Sequence, residues 1–149
     1  MKIHTSAGCY LIRNVENDIT ELLVIHRHLP DKGEVYVIPK GHQKEDETLE
    51  ETALRETTEE TGYTDFEILM PLGSKTYILD LDEGIEKTDH YFLAQLRSEH
   101  HVKQILTEAE AQSGFTPVWM PYEEAFERLT WENSSEILVK IQDYLEEKK

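Results

Sequence analysis

The short apolar runs in IHTSAGCYLIR (3–13) and ELLVIHRH (21–28), with polar residues at their ends, predict strands on either side of the polar turn NVENDIT (14–20). After the loop LPDKGE, the run VYVI (35–38) reads as a short strand that Pro39 stops. The pattern then becomes helical over about residues 48–61. Thr48 with Glu51 makes a capping-box pair, and Gly62 supplies a C-terminal stop. Two strands follow, near 64–80 and 85–96, joined by a turn at Asp82-Glu83-Gly84. The polar stretch 98–115 reads as a mobile loop. A strand leads into Trp119, and Pro121 opens a short helix through YEEAFERL (122–129). Asn133 and Glu136 suit the start of a last helix with Ile137, Leu138, Ile141, Tyr144 and Leu145 on its buried side. Strands interleaved with three helices predict an α/β or α+β architecture, with no repeat and no linker.

Length adds a single-domain expectation for residues 1–149, since 149 residues can bury a core without staples. Charge narrows the partners. A formal net charge of −16 argues against unaided binding of long nucleic acid or an anionic membrane. It leaves room for a small phosphorylated substrate if divalent cations bridge the like charges. Cys9 is the one cysteine, so no internal disulfide forms and a reducing, cytoplasmic location is expected. SAGC (6–9) has no apolar segment before it and reads as buried strand, not as a lipoprotein cleavage site. No run approaches membrane-spanning length.

The chemistry concentrates in PKGHQKEDETLEETALRETTEETGY. On a helix at about 100° per residue, with Glu56 as zero, Glu60 falls at about 40° and Glu59 at about 300°. These carboxylates share one face. Leu49, Ala53, Thr57 and Leu54 span about 20° to 160°, a stripe suited to packing on a sheet, which puts the carboxylates at the border of core and solvent. Arg55 lies beside Glu59 and can orient a carboxylate. Three close carboxylates repel unless a cation joins them, and oxygen-only ligands favour Mg²⁺, with Mn²⁺ an alternative, over zinc. Taken alone, E-x-x-E-E is most often a solvated acidic face.

The spacing changes that judgement. Gly41, five residues, Glu47, seven residues, Arg55-Glu56, two residues, Glu59-Glu60, one residue, Gly62 matches the Nudix box at every fixed position, and the chain resembles the Nudix hydrolases. Thr57 and Tyr63 stand where that family usually has aliphatic residues. Thr57 is expected to pack its methyl and bond its hydroxyl back to a helix carbonyl. The resemblance reaches SAGCYLIR, LLVIHRH and VWMPYEEAFERL, and implies an α/β/α sandwich on a mixed central sheet.

It also implies a divalent-metal-dependent cleavage of a phosphoanhydride in a nucleoside diphosphate linked to another group. Glu56, Glu59 and Glu60 look like the metal ligands, joined by the Gly41 carbonyl. Glu47 and Arg55 resemble the supporting ion pair. A general base or an extra metal ligand is often drawn from the loop before the last strand, where Glu108 and Glu110 are candidates and Glu110 is preferred. PKGH (39–42) resembles diadenosine polyphosphate hydrolases and diphosphoinositol polyphosphate phosphohydrolases, with Tyr36 where relatives usually have Trp. Lys40 and His42 are then candidates for phosphate, and Tyr77 and Tyr91 for a base.

Asymmetric hydrolysis of diadenosine tetraphosphate to ATP and AMP leads this reading. The rivals are a nucleoside triphosphate, an RNA 5′ end, and a non-catalytic nucleotide-binding module, which would be expected to have lost box carboxylates. DLDEG (80–84) fails as a calcium loop, because its glycine comes one place early and Tyr91 holds the twelfth position. Oligomeric state is left open by the sequence.

Overall fold

A computed structural model describes residues 2–15 and 19–148. Residues 16–18 of the expected 14–20 turn lie outside the described residues. The elements are β1 (Lys2–Arg13), β2 (Glu21–Leu29), β3 (Gly33–Val37), β4 (Lys40–His42), α1 (Leu49–Thr61), β5 (Phe66–Asp80), β6 (Ile85–Leu96), α2 (Glu108–Gln112), β7 (Thr116–Pro121), α3 (Tyr122–Arg128) and α4 (Ser135–Glu147).

One sheet runs β3-β2-β1-β6-β5, with β4 added on β1 and β7 on β2. β1 and β6 are parallel and the other pairings antiparallel, so the sheet is mixed. Strand alternation sends Ala7, Cys9 and Leu11 to one face, where Ala53 of α1 packs, and Tyr10 and Ile12 to the other, beneath Phe126 of α3 and Ile137, Ile141 and Leu145 of α4. This is the expected layered α/β architecture. Cys9 is fully buried, and burial pushes its thiol up to about 12.

α1 begins and ends as its sequence requires. The Thr48 side chain accepts from Glu51 N–H while Glu51 reaches back to Thr48 N–H, and Gly62 closes the helix at φ 84°. Its buried face is shifted from the expected stripe. Leu54 is 36% exposed, whereas Thr52 is fully buried and Glu60 only 3% exposed. Glu60 falls between Leu49 and Ala53 around the helix, so it is carried under the chain and not onto a border. Thr57 Oγ1 does not bond back to a helix carbonyl; it is buried against the Cys9 thiol.

The stretch 98–115 differs from the mobile loop expected of it. It contains the short helix α2 and is tied to the end of α1. Ile105 N–H donates to Glu59 O at 2.8 Å, Val102 N–H to Gly62 O at 2.7 Å, and Gln104 Nε2 to Glu60 O at 2.6 Å. The last carbonyls of a helix have no partners within it, and this polar segment supplies them. α4 starts one residue later than Asn133 suggests, capped by the Ser134 side chain. Among the described residues no helix is long and apolar enough to cross a membrane.

Candidate active site

The acidic face of α1 is organised by one guanidinium. Arg55 binds Glu47 through Nε (2.5 Å) and Nη2 (3.0 Å), as the expected supporting pair. Its Nη1 reaches Glu56 at 2.8 Å and Glu59 at 3.0 Å, and Nη2 also donates to the His42 carbonyl. Glu47 takes further bonds from Lys44 N–H and Thr52 Oγ1. Arg55 first, then these donors, holds the Glu47 carboxyl down to about 2. Arg55 is thus the hub that draws the 42–47 loop onto the helix.

Glu60 is the most perturbed carboxyl. Burial first, then the facing carboxylates of Glu110 and Glu56, push it up to about 10. Its Oε1 accepts Lys40 N–H at 2.9 Å. Glu110 lies close beside it, so α2 brings the preferred base candidate to the helix. The Thr107–Glu110 capping box fixes that position, with Thr107 N–H donating to Glu110 Oε1 at 2.9 Å. Glu56 is also raised, by burial and then, against the pull of Arg55, by Glu59 and Glu110.

Among the described residues no three acidic, histidine or cysteine side chains converge ready to hold an ion. Arg55 draws Glu56 and Glu59 onto itself, and Glu60 is occupied by Lys40 N–H. The donor set nevertheless suits a hard divalent cation. It is all oxygen, and one guanidinium is shared among Glu47, Glu56 and Glu59 while Glu60 has no cationic partner, so negative charge is left over for a cation. Gly41 adds a cradle: a Cβ there would lie 2.1 Å from Glu56 Cδ, so only glycine lets this backbone meet the carboxylate.

The site opens into a cavity of about 920 Å³ that passes around β4 to the opposite face of the sheet. The pairings Ser6–His42, Ser6–Asp89, Lys75–Asp89 and Tyr77–Lys87 place these residues on that face. The cavity therefore has an acidic wall from α1 and α2, and a wall bearing Lys75, Lys87, His42 and Tyr77. Lys75 enters no ion pair among the described residues. Burial first, then Lys87 and His4, hold His42 below its ordinary value, so it meets a ligand chiefly as a neutral donor.

Two sequence expectations change here. Lys40 does line the cavity, but its ammonium lies 3.0 Å from Asp89 Oδ2 and 2.8 Å from Glu132 Oε2. These carboxylates satisfy it before any phosphate arrives. Tyr91 is 4% exposed and packs edge-on to Tyr10 at 5.7 Å, as a core residue without a free ring face. Tyr77 keeps partial exposure, with its hydroxyl donating to Asp89 at 3.1 Å. The sequence reading passed over Trp131, 44% exposed at the cavity, along with Lys75, Lys87, Asp89 and Glu132. Strand alternation would have put Lys87 and Asp89 on one face; nothing local marks Glu132. Arg27 lines the cavity, over the Phe115 ring, while His26 and His28 both turn to Glu34.

Known proteins resemble the chain in sequence and in fold. Residues 2–140 match the model of the NUDIX domain. The chain is 30% identical over 148 residues to "Putative mutator protein MutT4" of Mycobacterium tuberculosis, covering 97% of this chain and 56% of that protein. It therefore spans little more than half the length of that curated relative. Among solved structures, a Caenorhabditis elegans Ap4A hydrolase binary complex superposes with a TM-score of 0.71 at 23% identity, over 97% of this chain and 98% of that one. The NUDIX domain of Shewanella oneidensis NrtR, complexed with ADP ribose, gives 0.64 at 18% identity, over 100% and 90%. At these identities the two structures speak for the fold. With the family model spanning most of its length and the box complete from Gly41 to Gly62, the chain belongs to the Nudix family.

Proposed function

We propose that the chain hydrolyses a phosphoanhydride bond in a nucleoside diphosphate-linked substrate with the help of a divalent metal, and that its leading substrate is diadenosine tetraphosphate, cleaved asymmetrically to ATP and AMP. The observation that carries this reading is the two-walled cavity. Its volume is in the upper part of the range of about 300–1,000 Å³ typical of ligand sites, which suits a ligand larger than one nucleotide. One wall suits cations and the other suits phosphate and a base, so a chain of phosphates can cross from one to the other.

Glu56, Glu59, Glu60 and the Gly41 carbonyl would hold Mg²⁺ or Mn²⁺. Once bound, the metal supplies charge neutralisation at the phosphates and acidifies the attacking water. The remaining work falls to side chains. Arg55 keeps Glu56 and Glu59 oriented from behind. Glu110, beside Glu60, takes the proton as the water oxygen bonds to phosphorus and the bridging P–O bond breaks, the leaving phosphate departing as an anion. Lys75 and Lys87, with His42 as a donor, hold the phosphates farther along the chain. Tyr77 and Trp131 offer ring faces to a base.

The fold likeness to the C. elegans Ap4A hydrolase supports this substrate. The likeness to the MutT4 protein favours a second reading, a nucleoside triphosphate in the same site with the same chemistry. A binding module without activity is disfavoured by the intact box carboxylates. The test is product analysis by mass spectrometry in ¹⁸O-water with Mg²⁺, across diadenosine tetraphosphate, the common nucleoside triphosphates and a triphosphorylated RNA. ATP plus AMP from the dinucleotide, at the highest kcat/KM, is the expected result. Pyrophosphate release from a triphosphate at higher kcat/KM would overturn the substrate. No turnover of any of them would overturn the hydrolase reading for this panel.

A further inference from the structure

The segment Ile38–His42 is a strap lying across the mouth of the acidic site, and it is fastened from two sides. On the helix side Glu60 accepts Lys40 N–H at 2.9 Å and Arg55 donates to the His42 carbonyl at 2.9 Å. On the cavity floor Glu132 Oε1 accepts Ile38 N–H at 3.0 Å. The same Glu132, through Oε2, and Asp89 grip the Lys40 ammonium. Both carboxylates are buried, with side chains 2% exposed. Asp89 is itself fixed by Tyr77 and Tyr91 hydroxyls at 3.1 Å and 3.4 Å and by Lys87 at 3.5 Å. The Glu132 carbonyl accepts the Tyr10 hydroxyl at 2.7 Å.

Burying two carboxylates around one ammonium is costly, and apolar replacements of such clusters are often neutral or stabilising. Stability alone is therefore a poor account of it. Geometry supplies a better one, because Gly41, the residue whose backbone meets Glu56, follows Lys40 directly.

We propose that Glu132 and Asp89 are positioning residues for the metal-holding site, acting through Lys40 to seat the 38–42 strap against Glu56 and Glu60. Lys40 is then a structural counter-ion of the strap and not a ligand for phosphate. The inference rests on the hydrolase reading only for which residues receive the metal.

The test compares Glu132→Gln and Asp89→Asn with the unaltered chain by Mn²⁺ titration, counting free Mn²⁺ by electron paramagnetic resonance, alongside near-UV circular dichroism. Glu132→Gln keeps an acceptor for Ile38 N–H, and Asp89→Asn leaves that bond untouched. Partners that orient metal ligands typically matter by about 10–100-fold, and a loss of Mn²⁺ affinity of about that size is expected in both variants. In steady-state assays of Glu132→Gln the nucleotide KM should stay close to that of the unaltered chain, whereas Asp89→Asn also frees Lys87 and Tyr77; in both variants kcat should recover at saturating Mn²⁺. Unchanged Mn²⁺ affinity in folded variants would overturn the proposal. So would a raised KM with intact metal affinity in Glu132→Gln, which would return Lys40 to the phosphate. Should both variants fail to fold, the cluster serves the fold and the proposal falls. An unaltered chain that binds Mn²⁺ yet hydrolyses nothing would remove the hydrolase reading while leaving the Mn²⁺ comparison intact.

Discussion

The two walls of the cavity are made in different ways. The acidic wall comes largely from residues 47–60, where one helix and its preceding loop hold Glu47, Arg55, Glu56, Glu59 and Glu60 in register. The cationic wall takes His42 from β4, Lys75 and Tyr77 from β5 and Lys87 from β6, brought together only by sheet pairing. The first wall is a local object and the second a topological one. A local wall is suited to invariant chemistry, since its geometry follows from helix period and caps. A wall gathered from several strands can change residue by residue without disturbing the first, and on the proposed reading it is where substrate choice is set.

That division is open to attack, beginning with the largest effect. Glu60→Gln should lower kcat by about 10²–10³-fold, the scale of removing one transition-state-stabilising group, with little change in KM. Near-normal kcat in steady-state assays of the folded variant would break the assignment of chemistry to the helix. The double substitution Lys75→Met/Lys87→Met should do the reverse. It should raise KM for diadenosine tetraphosphate by about tenfold or more, as charged hydrogen bonds worth about 1.5–3 kcal/mol are lost, with kcat largely kept. A fall in kcat with unchanged KM would mean that the cationic wall belongs to the reacting centre.

The smallest effect sharpens the comparison through pH. Glu47 has a folded-state value of about 2 against an ordinary 4.5, because Arg55, Lys44 N–H and Thr52 favour its charged form. Its pairing therefore stabilises the fold fully above about pH 4.5 and is lost as pH falls toward about 2. In acid-unfolding curves Glu47→Gln should be less stable than the unaltered chain above pH 4.5 and converge with it near pH 2. A constant gap across that range would show that shape, and not charge, holds the loop on the helix.

Legibility in the sequence follows the same line. The apolar strand runs, the Thr48–Glu51 box and the Gly62 stop are local, and each appears in the structure where the pattern placed it. The Glu47–Arg55 pair is equally local, eight residues apart. The cluster around Lys40 was hidden because its partners lie 49 residues away at Asp89 and farther at Glu132, and a lysine in a loop looks free until the floor beneath it is known. Leu54 and Glu60 exchanged expected environments for a related reason. Helix angles say which residues share a face, while the sheet and the 98–115 segment decide which face is covered. The tie between that segment and the α1 carbonyls also escaped a reading based on polarity, since the same polar residues serve solvent or helix ends equally well.

The bond from Ile38 N–H to Glu132 spans 94 residues of chain. During synthesis from the N-terminus, the box helix exists long before the residue that seats its strap. On the proposal that Glu132 seats the strap, a nascent chain carries its box residues without a finished site until the α3–α4 connection has been made and docked.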